Sequence, residues 1–226
     1  MEKTYLISGI DTGIGKTVAT GLMAKSFASR GIDVITMKMV QTGNDGFSED
    51  LEAHRALSGL ARFPEDDLGL TAPQIFKFPS SPLLAAGLEG RTVDLGRIAD
   101  AVRTCSGKHD VTLVESAGGL DVPLTKDILT ADFAAEQGWP VVLVTCGRLG
   151  AINHALLSLD AAKLRGLKIA GVVHNTFFSS DPRLDADARD SILRHLERLG
   201  YPPVLVSMPG VSAASAPDID FSEIFA

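Results

Sequence analysis

Between positions 9 and 17 the chain reads Gly9-Ile10-Asp11-Thr12-Gly13-Ile14-Gly15-Lys16-Thr17, a glycine-rich run closed by a lysine and a hydroxyl. These residue types suit the phosphates of a nucleotide. Backbone N–H groups of such a turn point at the anion, the lysine reaches the outer phosphates, and the hydroxyl can ligate Mg²⁺. The usual spacing, GxxxxGK followed by Ser or Thr, would put the first glycine at position 10. Here Ile10 stands there, and the glycine comes one residue earlier, at Gly9.

Further chemistry-bearing residues follow apolar runs. Glu115 precedes Ser116-Ala117-Gly118-Gly119. A carboxylate there is either a surface charge or a ligand for the divalent cation that accompanies bound phosphate. Asp50 lies in Ser48-Glu49-Asp50-Leu51-Glu52, which reads as a helix start, and from the residues alone Glu49 and Glu52 serve as well. Lys38 leaves an apolar run beside Gln41-Thr42-Gly43. Such a lysine snorkels to solvent or turns its charge toward the phosphate loop. Leu149-Gly150-Ala151-Ile152-Asn153 opens a helical pattern, where free N–H groups either bind a carboxylate or simply complete a turn. Asn175 is a turn residue or an amide that reads a base edge. His54, His109, His154, His174 and His195 show no ligand spacing, and none is assigned to a metal.

These residues need a scaffold that gathers strand ends. Apolar runs at Tyr5 to Ser8, Val34 to Met37, Val111 to Val114, Val141 to Thr145, Ile169 to Val173 and Val204 to Val206 predict strands. Their continuous Val/Ile/Leu character is that of a parallel sheet buried on both faces. Helical periods cover Lys16 to Ser29, Glu49 to Leu57, Leu95 to Thr104, Ala131 to Gln137, Ile152 to Leu164 and Asp185 to Leu199, several closing on a glycine. The alternation predicts an α/β fold of one domain, a doubly wound, mostly parallel sheet flanked by helices. In such sheets ligands sit at the carboxyl ends of the strands, which is where the residues above fall. Residues 60 to 82 carry Pro64, Pro73, Pro79 and Pro82 with few helix signals, and are expected to form an irregular arm or an edge strand over the sheet.

Composition narrows the class. The chain has 226 residues, 45% of them hydrophobic, enough for one sizeable core. A net charge of −7 argues against a nucleic-acid binder. No apolar run reaches the ~20 residues of a membrane span, and Met1-Glu-Lys-Thr-Tyr leads directly into the first strand, leaving no room for a cleaved signal. Cys105 and Cys146 lack metal-like spacing and are read as reduced thiols of a cytoplasmic protein.

Taken together, the motifs resemble the dethiobiotin synthetase family of biotin synthesis, a group of P-loop NTPase-like enzymes, over almost the whole chain. That family resembles Gly-Thr-Asp-Thr-x-x-Gly-Lys-Thr at the phosphate loop, with the same extra residue, so only Ile10 departs. Its Glu-Gly-Ala-Gly-Gly is matched by Glu115-Ser-Ala-Gly-Gly119, its Leu-Gly-x-Ile-Asn-His by Leu149 to His154, and a Ser-Pro element by Ser81-Pro82. Its Lys-Pro-x-x-Ser/Thr-Gly becomes Lys38-Met-Val-Gln-Thr-Gly43. Losing that proline removes a fixed backbone angle and is expected to loosen the loop or shift Lys38.

The resemblance implies an ATP- and Mg²⁺-dependent cyclo-ligase. One amine of 7,8-diaminopelargonic acid takes up CO₂, the carbamate attacks the γ-phosphate of ATP, and the second amine closes the ureido ring. It implies Lys16 and Lys38 as catalytic residues, with Thr17, Asp50 and Glu115 around Mg²⁺. It implies nucleotide contacts at Gly13, Ile14, Gly15, Lys16, Thr17, Val18, Asp50, Glu115, Ser116, Ala117 and Gly118. For the base it implies Asn175, Thr176, Pro209, Gly210 and Val211. Substrate would meet Thr12, Lys38 and Thr42, and its distal carboxylate would meet Gly150 and Asn153 from a second subunit, hence a homodimer. Two other classes share parts of the pattern. A partitioning- or septum-site-type regulatory ATPase usually carries a second lysine early in the loop, absent between Gly9 and Ile14. A cobyrinic-acid-type amidoligase needs a glutamine-hydrolysing domain, for which no segment is seen.

Overall fold

The computed structural model describes residues 3–211 and 216–226. Its centre is a six-stranded sheet in the order β2-β5-β1-β6-β7-β8, with every neighbouring pair parallel. The strands are β1 (Thr4–Gly9), β2 (Val34–Lys38), β5 (Val111–Gly119), β6 (Val141–Cys146), β7 (Ile169–Asn175) and β8 (Leu205–Met208). A short parallel pair, β3 (Gln41–Thr42) with β4 (Ile75–Phe76), stands apart from it. The helices are α1 (Lys16–Ala28), α2 (Glu49–Ser58), α3 (Pro64–Asp67), α4 (Pro82–Leu88), α5 (Leu95–Lys108), α6 (Thr130–Gln137), α7 (Ala151–Leu164) and α8 (Pro182–Leu199).

The apolar runs make the sheet because they are buried throughout. Every residue of β2 and β6 is buried, as are the last five of β1. Such strands need helices on both faces. Because all six strands run parallel, their carboxyl ends, and the turns after them, lie along one edge.

Three details differ from expectation. Strand β5 runs five residues past Val114, because β1 pairs with it as far as Gly9 opposite Gly119. Glu115 is therefore inside the strand, in register with Lys38 at the end of β2. The arm at 60–82 is not an edge strand of the main sheet: β4 pairs only with β3, and α3 precedes it with Pro64 at its first position. Helix α8 starts a turn early, at Pro182, behind an Asp181 side chain that accepts from the Arg183 N–H. Among the described residues no helix is long and apolar enough to cross a membrane.

Candidate functional site

The turn from β1 to α1 is built by its glycines. Gly15, the residue before α1, has φ of 99°, and a Cβ there would come within 2.4 Å of Asn175 Nδ2. Only glycine satisfies both conditions. At Gly9 a Cβ would lie 2.7 Å from the Ile14 side chain, which is fully buried beneath the loop. The early glycine thus lets Ile14 tuck under, while Thr12 stands exposed at the tip. Lys16 Nζ folds back to donate to the Asp11 carbonyl at 2.8 Å. Burial, reinforced by the nearby Lys38 charge and partly opposed by Glu115, pushes the Lys16 ammonium down to about 8. The Thr12 N–H, with Arg148 beside it, holds the Asp11 carboxyl below its ordinary value.

Beneath the loop three elements bring charge together. Helix α2 is capped by Ser48, whose side chain accepts from the Leu51 N–H at 3.2 Å and donates to Gln41 Oε1 at 2.6 Å. That cap fixes the first turn, which separates the three acids the sequence leaves equivalent. Glu49 and Glu52 face solvent, and Asp50 turns inward. Thr17 Oγ1 lies 2.7 Å from Asp50 Oδ1 and 3.1 Å from Glu115 Oε1. Lys38 Nζ lies 2.6 Å from Asp50 Oδ2 and 2.8 Å from Glu115 Oε1. Burial would raise the Glu115 carboxyl, yet the Lys38 ammonium and a hydrogen bond from His54 outweigh it and hold it well below the usual carboxylate range. Burial would likewise lower Lys38, but Glu115 and Asp50 hold it above its ordinary value. Both groups are charged at neutral pH.

Two carboxylates and one hydroxyl converging beside a phosphate loop form a hard-oxygen set. Mg²⁺ is typically held in this way, by one or two carboxylates with phosphates and water completing its shell. Among the described residues no group of three His, Cys, Asp or Glu side chains is arranged to hold a metal without such help. The Lys38 ammonium supplies positive charge at the same point. Met39, standing where the resembled family has proline, is fully buried, and its N–H donates to the Glu115 carbonyl at 2.9 Å. A proline could not make that bond. Met39 thus fastens the loop that follows Lys38.

The residues above line a cleft of about 610 Å³. Thr12, Gly13, Gly15, Lys16 and Thr17 form one wall, Lys38, Thr42 and Asp50 another, and Glu115, Ala117 and Gly118 the floor. Pro79 to Pro82 of the arm close the far side. Ile14 and Ser116 are buried behind these walls, Ser116 Oγ bonding Ser8 Oγ at 3.1 Å and the Gly118 carbonyl at 3.0 Å. Val18 is half-buried on α1. The remaining candidates lie outside the cleft. Asn175 donates to the Ile14 carbonyl at 2.9 Å and accepts from the Phe177 N–H at 3.0 Å, tying β7 to the phosphate loop. Thr176 bonds the Met208 carbonyl at 3.3 Å, and Pro209, Gly210 and Val211 continue from β8 beside it. Gly150, with φ of 88°, opens α7, and Asn153 is exposed on its first turn.

Sequence reasoning missed two participants. Arg148 pairs with Asp11 across the loop. His54 is fully buried and places Nε2 2.7 Å from Glu115 Oε2. A signal existed for His54: it stands four residues after Asp50, one helical turn away on the same face.

Comparison with known proteins agrees with this geometry. A family described as AAA domain matches residues 3–217. An ATP-dependent dethiobiotin synthetase BioD of Chlorobaculum tepidum is 45% identical over 210 residues, 92% of this chain and 88% of that protein. The BioD 2 synthetase of Pasteurella multocida is 41% identical over 88% of this chain and 93% of its own length. Among solved structures, a ParA family ATPase from Chlorobium tepidum superposes with a TM-score of 0.54 at 15% identity, over 95% of this chain and 87% of that one. This last likeness concerns the fold alone.

Proposed function

The chain belongs to the ATP-dependent dethiobiotin synthetase family, and from that premise we propose that it acts as a cyclo-ligase whose two lysines divide the work. The substrates are 7,8-diaminopelargonic acid, CO₂ and ATP. One amine of the diamine adds to CO₂ and releases a proton, giving a carbamate. A carbamate oxygen attacks the γ-phosphorus and ADP leaves. The second amine then attacks the carbonyl of the mixed anhydride, expels phosphate and closes the ureido ring. Every nucleophile belongs to the substrate, so the protein's task is to position reactants and offset phosphoryl charge.

In this reading the N–H groups from Gly13 to Val18 hold the phosphates and Lys16 offsets charge on the transferring group. Thr17, Asp50 and Glu115 would hold Mg²⁺, which would supply positive charge to offset that of the phosphates. Lys38, released from its carboxylate partners, holds the carbamate, and Thr12 and Thr42 bond the diamine or carbamate. Asn175, Thr176 and the Pro209–Val211 segment hold the base. Gly150 and Asn153 lie outside the cleft, which favours their meeting the distal carboxylate of substrate bound to a second subunit. A cytoplasmic homodimer is therefore part of the proposal.

The single observation that carries it is the meeting of Lys16, Lys38, Thr17, Asp50 and Glu115 in one cleft. The test is incubation of purified, folded protein with ATP, Mg²⁺, bicarbonate and the diamine, with product detected by mass spectrometry. Dethiobiotin and one ADP per ring closed are expected. ATP turnover that ignores the diamine but rises with DNA or lipid would overturn the reading in favour of a regulatory ATPase.

A further inference from the structure

We propose that His54 is a positioning residue that sets the Glu115 carboxylate for the divalent cation, through a hydrogen-bond relay that begins in the 60–82 arm. The proposal rests on the reading of Glu115 as a metal ligand. Helix α2 carries both Asp50 and His54. One turn apart, they reach the same centre from the same face. The two oxygens of Glu115 are divided between them. Oε1 faces Lys38 at 2.8 Å and Thr17 at 3.1 Å, while Oε2 meets His54 Nε2 at 2.7 Å. The imidazole thus occupies the oxygen turned away from the cleft and fixes the plane in which the other is presented.

The ring's own orientation is fixed from outside the cleft. Asp66, on α3 in the arm, takes the Arg55 guanidinium in two bonds, at 2.7 and 3.1 Å. Arg55 donates to Thr36 Oγ1 at 2.5 Å, and Thr36 Oγ1 lies 3.1 Å from His54 Nδ1. Arginine only donates, so the Thr36 oxygen is an acceptor toward it and its own hydrogen is free for Nδ1. With that hydrogen given to Nδ1, Nε2 carries the hydrogen that points at Glu115. The opposite tautomer would set the Nε2 lone pair against a carboxylate. The Glu115 end therefore selects this form, the Thr36 end accommodates it, and each donor in the relay has its acceptor. Outer partners of this kind orient a ligating group, and losing one typically costs 10–100-fold in metal affinity or activity.

The test compares ADP affinity with and without Mg²⁺, by calorimetry, for the wild type and for Glu115→Gln, His54→Asn and His54→Gln. The readout is the fold gain in affinity that Mg²⁺ confers. Asparagine is too short to reach Glu115, whereas a glutamine amide can place its N–H near the Nε2 position. His54→Asn is expected to lose at least about tenfold of the Mg²⁺-dependent gain, and His54→Gln to keep most of it. A folded Asn variant with the wild-type gain, or a Gln variant as impaired as Asn, would overturn the role of His54. An unchanged gain in Glu115→Gln would instead remove the premise, and the proposal with it. Ring ¹⁵N shifts of His54 in the wild-type protein provide a check that needs no variant: hydrogen on Nε2 is expected, and hydrogen on Nδ1 alone would overturn the relay.

Discussion

Lys38 is the residue whose surroundings say most about the reaction. Its ammonium is buried between Asp50 and Glu115 and balances both carboxylates. Lys38→Ala should lower kcat by about 10²-fold or more, since it removes a preorganised charge from the reacting group. ATP affinity with Mg²⁺ present should change little. Loss of one partner of a buried ion pair is also costly, on the order of 3 kcal/mol. The variant should therefore melt early in metal-free buffer and regain part of the loss when Mg²⁺ is added. Equal falls in ATP affinity and turnover would show that Lys38 serves the nucleotide instead. Lys16 gives a pH signature. Burial has pushed its ammonium down to about 8, so the free enzyme is charged there below that pH and neutral above it. Bound phosphates favour the charged form and raise the value again. Nucleotide affinity should fall as pH climbs through 8, and near pH 8 binding should take up roughly half a proton. Calorimetry in buffers of different ionisation enthalpy measures this, and zero uptake would mean that nucleotide binding leaves the protonation of Lys16 unchanged.

At the scale of elements, legibility followed burial. The six long strands and six long helices each carry a continuous or periodic apolar signal, and their positions were readable to within a turn or a few residues at most ends. The short pieces were not. Strands β3 and β4 are two residues each and have no pattern of their own; they exist because the chain between Lys38 and α2 runs beside the arm. Helix α4 has a serine cap and Pro82 at its first position, signals that the proline-rich character of the arm obscured. The length of β5 could not be read from Glu115-Ser-Ala-Gly-Gly119, since carboxylate and glycines look like a loop. The strand continues there because β1 pairs with it as far as Gly119, while β2 reaches only Glu115. The site divides in the same way. Gly15, Lys16 and Thr17 announce themselves through a local motif. Asp50 could not be told from Glu49 and Glu52, because the choice depends on the capped first turn of α2. His54 and Arg148 act through contacts 61 and 137 residues away in sequence, and no local pattern encodes those.

For the whole molecule, the open question is what covers α7. Asn153, Leu157, Asp160 and Leu164 recur at the i, i+4, i+7, i+11 spacing of one helix face, and all four are exposed. Leu157 is 58% exposed and Leu164 86%, and Leu149, just ahead of the helix, is 83% exposed. This face continues from the Gly150 turn proposed to reach a second subunit's substrate. If α7 packs on its copy, two consequences belong together. Leu157→Glu with Leu164→Glu should give a folded monomer by analytical ultracentrifugation, because the change falls on a surface that a lone subunit leaves in water. That monomer should bind ATP with near-wild-type affinity, since the phosphate loop, Lys38, Asp50 and Glu115 all come from one chain. Its KM for the diamine should rise by about tenfold or more, the loss expected when a charged carboxylate forfeits its hydrogen-bond donors. A variant that stays dimeric would place the interface elsewhere. A monomer with unchanged diamine KM would show that the distal carboxylate is held within one subunit, and would return Gly150 and Asn153 to the role of an ordinary strand-to-helix turn.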